Sequence, residues 1–297
     1  MDSDAPRQPA ASERSEASHA TGASRRSGER ESVQGSPRGE APRVTIDLNC
    51  DMGESFGPWP MGADARVMPH ITSANIACGA HAGDPTVMRR TVRLARASGV
   101  AIGAHPGFAD LQGFGRREMQ MDPAEIEDSL IAQIGALAAI ARAEGATVQH
   151  VKAHGALYNM AVRDARLAGA IARAVRICDP ALIMFGLPNS PLLDAGRTEG
   201  LRVAGEGFAD RSYEPDGSLT PRSRPGAVIH DVEAVVARAV RMVRDGVVLT
   251  SEGRAVELTV QTLCVHGDTP GAADLVERIA AGLRAAGADL SPIGRWL

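Results

Sequence analysis

From Val44 onward, short apolar runs alternate with longer stretches in which apolar residues recur at helical spacing. This alternation is typical of successive strand and helix units packed around a parallel sheet. The apolar runs predict seven strands, at Val44–Leu48, Thr72–Ile76, Val100–Ala104, Val148–Lys152, Leu182–Gly186, Arg202–Gly205 and Leu258–Val265. The periodic stretches predict helices, most clearly at Pro85–Ala97, Pro123–Ala143, Ala165–Ile177, Val232–Val243 and Ala272–Ala286. We therefore expect an α/β fold in which 43–297 form one seven-stranded (β/α) barrel, closed or nearly closed.

The first 42 residues have a different composition from the rest. Ser, Arg, Glu, Ala, Gly and Pro dominate residues 1–42, and Val33 is almost the only sizeable aliphatic side chain there. Such a segment cannot bury enough apolar surface to offset the entropy of ordering it, so we expect a disordered tail. Its acidic residues argue against a transit peptide. A misassigned start codon is an equally open explanation.

Charge and hydropathy exclude several classes of partner. The formal net charge is −4 and the pI is near 6.1, so we expect no nucleic acid and no membrane partner. No run approaches the roughly 18 apolar residues of a membrane span, and no apolar stretch of signal-peptide type opens the chain. The four cysteines form no C-x-x-C pair: Cys50, Cys78, Cys178 and Cys264. We therefore expect reduced thiols, and we expect the protein to be cytoplasmic.

Polar side chains follow the ends of the predicted strands. In the first strand, side-chain alternation places Asp47, Asn49 and Asp51 on one face. Comparable polar residues end or follow the first and later strands: Glu54, Asn75, His81, His105, Lys152, His154, Glu206, Asp210, Arg211, His266 and Asp268. The carboxyl ends of parallel strands form one rim of a barrel, where catalytic residues gather. The sequence therefore predicts a polar active site at that rim.

Lysine usage singles out one of these residues. Lys152 is the only lysine, and the other 31 of the 32 basic residues are arginine. A lysine retained against this bias indicates a need for a compact, titratable ammonium group, although a buried ion pair would also explain it. Lys152 is therefore a candidate catalytic residue.

Histidine recurs at the same strand ends. One histidine after a strand is more often a loop or cap residue, but four in matching positions favour a shared function: His81, His105, His154 and His266. Three others lack that setting and are interpreted as structural or incidental: His70, His150 and His230. A thiol nucleophile is disfavoured, because small buried thiols are common at packed strand ends.

Metal and nucleotide sites have weaker signals. Oxygen and imidazole donors are available from Asp47, Asn49, His81 and His154, so metal binding is an open alternative. The chain has no H-E-x-x-H or comparable ligand spacing, and the same groups equally suit hydrogen bonds to a polar substrate, so we assign no metal ligands. The sequence contains no G-x-x-x-x-G-K-[ST] phosphate loop, so any nucleotide is bound another way or by another subunit.

Six ordered motifs, spread between Val44 and Leu290, carry a resemblance to a known family: D-L-N-C-D-M-G-E, N-I-A-C-G-A-H-A-G-D, G-A-H-P-G-F, V-K-A-H-G-A-L-Y-N, E-G-F-A-D-R-S-Y and C-V-H-G-D-T-P. Together they resemble the LamB/YcsF family, which contains the A component of prokaryotic ATP-dependent 5-oxoprolinase. Two positions depart from the expected pattern, Ala153 in place of Pro and Thr269 in place of Asn. Both are peripheral to the polar atoms, so the departures do not argue against activity.

The resemblance implies a barrel akin to the glycoside hydrolase and deacetylase superfamily. It also implies a reaction in which 5-oxo-L-proline, ATP and water give L-glutamate, ADP and phosphate. ATP would act as its Mg²⁺ complex, and 5-oxoprolinase subunits B and C would complete the enzyme. Two rivals remain open, namely a metal-dependent deacetylase or amidohydrolase that acts alone and a non-catalytic scaffold for the partner subunits.

For the implied reaction we expect a catalytic set and a substrate-binding set. In the catalytic set, Asp51 and His154 act as general base and acid, and Lys152 holds developing negative charge together with Arg211. His81, His105 and His266 orient substrate or water, which completes a catalytic set of Asp51, His81, Lys152, His154 and His266. The substrate-binding set is Asp47, Asn49, Glu54, Asn75, His105, Glu206, Asp210, Arg211 and Asp268.

Overall fold

A computed structural model describes residues 44–266 and 271–297 of the chain. Within these ranges the strands are β1 (Thr45–Met52), β2 (Ser73–Ala77), β3 (Ala101–His105), β4 (Val148–Val151), β5 (Ile183–Gly186), β6 (Arg202–Phe208), β7 (Val247–Leu249), β8 (Ala255–Glu257), β9 (Thr262–Val265) and β10 (Asp289–Leu290). Strands β1 to β6 pair in chain order, all parallel, and β9 pairs with both β6 and β1. The predicted seven-stranded barrel is confirmed, and its ring is fully closed.

Three short strands lie outside the barrel. β7 and β8 form an antiparallel hairpin between the sixth and seventh barrel strands, and β10 pairs with the start of β1. None of the three was predicted, and the predicted strand Leu258–Val265 begins only at Thr262 in the structure. The predicted tail, residues 1–42, lies outside the described residues and stays a prediction.

Helices connect most of the barrel strands. In the described residues they are α1 (Asp64–Val67), α2 (Pro85–Ala97), α3 (Pro123–Ala143), α4 (Gly155–Ala161), α5 (Ala165–Cys178), α6 (Pro191–Thr198), α7 (Val232–Asp245) and α8 (Ala272–Ala285), with 3₁₀ turns at Met68–His70 and Ile293–Arg295. The predicted bounds of α2 and α3 are confirmed. Each helix begins directly after an aspartate, Asp84 or Asp122, whose side chain accepts amide protons of the first turn.

Apolar packing surrounds a polar barrel interior. Ile46, Leu48 and Cys50 of β1 belong to the main apolar core, whereas Asp47 and Asn49, between them in sequence, bond to side chains of other barrel strands. This alternation follows from the pleat of a strand. Among the described residues, no helix is both long and apolar enough to cross a membrane.

Gly103 on β3 leaves room for the buried imidazole ring of His150 on the neighbouring strand β4. A Cβ added at Gly103 would overlap the imidazole of His150, which lies inside the barrel and stacks on Phe185 with ring centroids 4.3 Å apart. The Nε2 atom of His150 is 2.8 Å from Asn75 Oδ1, so the ring has little freedom to move away. The position therefore requires glycine for space.

We expect Gly103→Ala to lower the free energy of unfolding by about 1–3 kcal/mol or more, because the new methyl group overpacks a rigid interior. The measurement is urea unfolding followed by circular dichroism. Gly135→Ala is the matched control, since Gly135 is exposed in α3 and a Cβ there meets nothing within 4 Å. That substitution should stabilise the protein by up to about 1 kcal/mol. Equal effects at the two positions would contradict the packing argument.

Candidate active site

A cavity of about 770 Å³ opens at the carboxyl ends of the barrel strands. Six of the seven barrel strands contribute lining residues at or just beyond their ends, and β2 contributes none. Six of the side chains that line it were singled out in the sequence: Asp51, His105, Lys152, His154, Arg211 and His266. The closed ring therefore brings together residues that are more than 200 positions apart in the chain, from Asp51 to His266.

Lys152 is the charged centre of the cavity floor. Its Nζ lies 2.8 Å from Asp51 Oδ1 and 3.0 Å from Glu206 Oε1, and it donates to Cys264 Sγ at 3.0 Å. Lys152 is only 3% exposed, and Glu206 is fully buried. Burial opposes the ammonium charge, but the carboxylate of Asp51 holds the pKa of Lys152 well above its usual value. Lys152 therefore remains a cation at neutral pH.

Asp51 is the matching anion. Burial opposes its ionisation, yet the interactions with His105 and Lys152 hold the pKa of Asp51 well below its usual value. Its Oδ2 lies 3.3 Å from His105 Nε2, and its Oδ1 also accepts from Asn75 Nδ2 at 2.9 Å. A carboxylate this weakly basic is a poor proton acceptor. The arrangement favours an electrostatic role for Asp51.

His266 and Asp210 form a separate hydrogen-bonded pair. His266 Nδ1 lies 2.7 Å from Asp210 Oδ2, and both residues are buried. Burial alone would raise the pKa of Asp210, but its interaction with His266 lowers it below the usual value. A carboxylate on Nδ1 orients the imidazole and leaves Nε2 as the reactive nitrogen. His266 is therefore suited to move a proton at the cavity wall.

His81, His105, His154 and Glu54 form a second cluster beside the lysine. The rings of His81 and His154 stack with centroids 3.7 Å apart, and His154 Nδ1 lies 2.9 Å from His105 Nε2. Glu54 Oε1 is 3.9 Å from His81 Nε2 and 4.0 Å from His154 Nδ1. Glu54 and His81 also line a smaller pocket of about 300 Å³. The cluster thus lies between two openings.

Three of the proposed substrate-binding residues lie deeper than the cavity. Asp47 Oδ1 accepts from Thr72 and Ser73, and its Oδ2 accepts from Thr262. Asn49 donates to Thr262 and accepts from Asn75. Asp47, Asn49 and Asn75 are fully buried and are not among the cavity-lining residues. Because the polar atoms of these residues are engaged within the barrel, the structure indicates support of the layer above, and direct contact with a substrate stays a prediction.

The remaining predicted site residues differ in whether they line the cavity. The guanidinium of Arg211 donates from Nε to Ala227 O and from Nη2 to Thr220 O, although the residue also lines the cavity. A guanidinium has five donors, so these two bonds do not exhaust it. Glu206 contacts the lysine from below and Asp210 contacts His266, and neither is a cavity-lining residue. Asp268 lies outside the described residues, so its role stays a prediction.

The cysteines near the site are unsuited to act as nucleophiles. Burial raises the pKa of Cys264 well above its usual value and that of Cys78 to about 12. The thiolate, which is the nucleophilic form, therefore does not accumulate at neutral pH.

Known proteins share both the sequence and the fold of this chain. Residues 46–297 match the LamB/YcsF family model. The chain belongs to the LamB/YcsF family. The 5-oxoprolinase A component of Symbiobacterium thermophilum is 55% identical over 253 residues, which cover 85% of this chain and 97% of that protein. The protein of the same name from Bacillus subtilis is 52% identical over 248 residues, which cover 84% of this chain and 96% of its own.

A solved structure of a close relative extends the comparison to three dimensions. The lactam utilization protein from Thermus thermophilus matches with a TM-score of 0.80 and 46% sequence identity. The match covers 84% of this chain and 99% of that one. The barrel described above is therefore the LamB/YcsF fold.

Two buried polar residues near the site of this LamB/YcsF protein were not among the predicted site residues. His150, interpreted as structural or incidental, bonds Asn75 inside the barrel. Tyr158 lines the cavity from α4, and burial raises the pKa of its hydroxyl well above the usual value. The alternation of β4 was an available signal for His150, because His150 and Lys152 are two residues apart and share a strand face.

The raised pKa of Asp47 leads to a prediction about the pH dependence of protein stability. Burial raises its pKa from 3.8 to about 6, despite three hydroxyl donors. Between these values the folded state keeps a proton that the unfolded state has lost, so this group's contribution to stability falls as pH rises through that window. Asp47→Asn removes the titration. Its stability relative to the wild type should rise by about 3 kcal/mol from pH 3.5 to pH 6.5.

The measurement is urea unfolding of both proteins across that pH range. Gly135→Ala, at an exposed position of α3, is the control, because neither residue titrates, and its difference from the wild type should stay constant. A constant difference for Asp47→Asn as well would contradict the raised pKa.

Proposed function

We propose that this chain is the A component of an ATP-dependent 5-oxoprolinase, acting with subunits B and C. The overall reaction hydrolyses 5-oxo-L-proline to L-glutamate while ATP is hydrolysed to ADP and phosphate. Family membership and the names of relatives at 52–58% identity support the proposal. The observation that carries it is the buried Lys152 between Asp51 and Glu206 on the floor of an open polar cavity.

A five-membered lactam is a stable amide, and negative charge gathers on its carbonyl oxygen and on the phosphoryl group attached to that oxygen as water adds. A fixed cation at that oxygen stabilises the transition state more than the ground state. Lys152 supplies such a charge, because Asp51 and Glu206 hold the ammonium in place before substrate arrives. Arg211, which lines the cavity, would bind the carboxylate that 5-oxoproline carries.

Proton transfer is better assigned to His266 than to Asp51. The general base must accept a proton near neutral pH, and the pKa of Asp51 is held too low for this. His266 lines the same cavity, and Asp210 orients its ring. One of its nitrogens also lies within 4.8 Å of an Asp51 oxygen. His266 would take the proton of attacking water and later return it to the lactam nitrogen as the C–N bond breaks.

ATP, accompanied by Mg²⁺, would activate the lactam oxygen by phosphorylation, with release of ADP. Addition of water and cleavage of the C–N bond would then leave an acyl phosphate, and a second water would hydrolyse it to glutamate and phosphate. Within the described residues, the arginines around the cavity suit a phosphate-bearing molecule: Arg116, Arg163, Arg211, Arg222 and Arg224. The roles of Lys152 and His266 are the same whichever of the three proteins first receives the nucleotide. Both groups act on the lactam and on water.

Glutamate release from 5-oxo-L-proline tests the proposed function directly. The full chain is combined with subunits B and C, and each protein and ATP is omitted in turn. We expect glutamate only when all three proteins and ATP are present. Glutamate or another hydrolysis product from this chain alone, without ATP, would favour the single-protein hydrolase. Unchanged release without this chain would leave it no catalytic role.

Two variants test the proposed role of the buried pair of Lys152 and Asp51. We expect Lys152→Met and Asp51→Asn to lower turnover of the assembled enzyme by about 100-fold or more, because each disrupts the buried charge pair. Arg173→Met is the matched control, since Arg173 pairs with Glu127 on the outer helices and lies away from the cavity. It should keep normal turnover.

Folding and assembly distinguish catalysis from scaffolding. Circular dichroism and co-purification with subunits B and C should be normal for Asp51→Asn, whose side chain keeps the same shape. An inactive variant that still assembles excludes a purely structural contribution of Asp51. Near-normal turnover of both variants would refute the role given to the buried pair.

A further inference from the structure

The cluster beside the lysine has the composition of a metal site. Glu54, His81, His105 and His154 are buried, and one donor atom from each lies within 4.8 Å of the others. They come from the ends of β1, β2, β3 and β4, four consecutive barrel strands. Three imidazoles and one carboxylate suit a divalent transition metal ion.

Hydrogen bonds define the tautomers of two of these rings. His105 Nδ1 lies 2.8 Å from Lys152 O, and His154 Nε2 lies 2.8 Å from Phe114 O. A carbonyl oxygen only accepts, so both of these nitrogens carry hydrogen and donate it. The other nitrogens, His105 Nε2 and His154 Nδ1, then hold lone pairs when the rings are neutral. They face each other at 2.9 Å.

Two lone pairs at this distance repel unless a positive charge lies with them. A shared proton is one solution, in which His105 Nε2 would donate to His154 Nδ1 with the carboxylate of Asp51 3.3 Å away. A metal ion is the other solution. Metal-binding histidines characteristically donate their second ring N–H to a backbone carbonyl or carboxylate, which is the arrangement of His105 and His154.

His81 supplies an independent observation. It is 1% exposed, and neither of its ring nitrogens has a hydrogen-bond partner among the described residues. A buried imidazole without partners is costly, so an unpaired ring aimed into a cluster of donors points to a ligand. The Glu54 carboxylate, 3.9 Å from His81 Nε2, adds the negative charge that favours a cation.

We propose that Glu54, His81, His105 and His154 bind one divalent transition metal ion of the zinc class. A tetrahedral ion with bonds of about 2.0–2.1 Å separates its ligand atoms by about 3.3 Å. The distances of 3.9 and 4.0 Å from Glu54 Oε1 would therefore shorten, and the 2.9 Å between His105 Nε2 and His154 Nδ1 would lengthen slightly. His81 stacks on His154 with planes 2° apart, so binding would require the His81 ring to rotate until a nitrogen lone pair points at the same ion. In this proposal His154 is a ligand and does not act as the general acid.

The ion would lie next to the cavity, since His105 and His154 line it. A bound ion there would polarise water or an anionic oxygen beside Lys152. Binding itself does not depend on which reaction the chain catalyses. The test therefore measures the metal on the isolated chain and stays separate from the assay of the assembled enzyme.

The experiment uses the tag-free full chain, stripped with a chelator and titrated with Co²⁺. We expect one Co²⁺ per chain, a visible absorption band of low-symmetry coordination, and displacement by Zn²⁺. No binding, with the histidine ring nitrogens instead sharing a proton in ¹⁵N NMR spectra, would overturn the proposal. A sulfur-to-cobalt charge-transfer band would also overturn it, because it would place the ion at Cys264 near Asp51 and His266.

Variants locate the ion. Loss of an outer-shell partner already weakens metal binding by about 10–100-fold, so His105→Ala and His154→Ala should weaken it by more than about 100-fold. His230→Ala is the matched control, because His230 is exposed and should leave the Kd for Co²⁺ unchanged. Glu54→Gln keeps the side-chain shape and should also weaken binding, which covers a failure of the alanine variants to fold. Wild-type affinity in folded Glu54→Gln together with either folded alanine variant would overturn the assignment.

Discussion

The buried ammonium of Lys152 is the interaction on which the upper half of the barrel depends. Its two carboxylate partners come from β1 and β6, and the lysine follows β4, so one charge connects three strands that are distant in the chain. Removing one partner of such a group leaves an unpaired charge in the interior, at a cost of about 3–5 kcal/mol. Fold and site therefore constrain each other at this point.

A polar layer lies beneath the lysine and supports it. The hydroxyls of Thr72, Ser73 and Thr262 surround Asp47, and amides of Asn49 and Asn75 carry the network upward to Asp51. Most barrels of this kind fill the interior with branched apolar side chains. Here the interior is a hydrogen-bonded stack, which restricts the orientation of each carboxylate before any ligand binds. Such preorganisation is what electrostatic catalysis requires.

The sequence predicted the barrel strands and the main helices because their signals are local. Capping carboxylates and first-turn prolines marked the starts of α2 and α3, and apolar runs marked the barrel strands. The β7–β8 hairpin and β10 have two or three residues per strand, too few for alternation to show. Their formation depends on packing against the rest of the barrel.

The sequence predicted which residues lie at the rim of the barrel, but not how deep in the interior each one lies. Residue type and strand alternation identified Asp51, Lys152 and His266, all of which line one cavity. Alternation alone does not reveal the layer in which a side chain lies, since this depends on strand register around the closed ring. Asp47 and Asn49 therefore proved to lie below the cavity. Likewise, only three-dimensional contacts reveal that carbonyls of Lys152 and Phe114 select the tautomers of two histidines.

The position of β9 between β6 and β1 has a consequence for synthesis of the protein. The last barrel strand pairs with the first across more than 210 residues, as in the contact between Asp47 and Thr262. Contacts of this sequence separation form late, because a long loop must close first. His266 follows this strand directly. A ribosome-bound chain therefore presents an incomplete cleft until residues 262–266 have emerged.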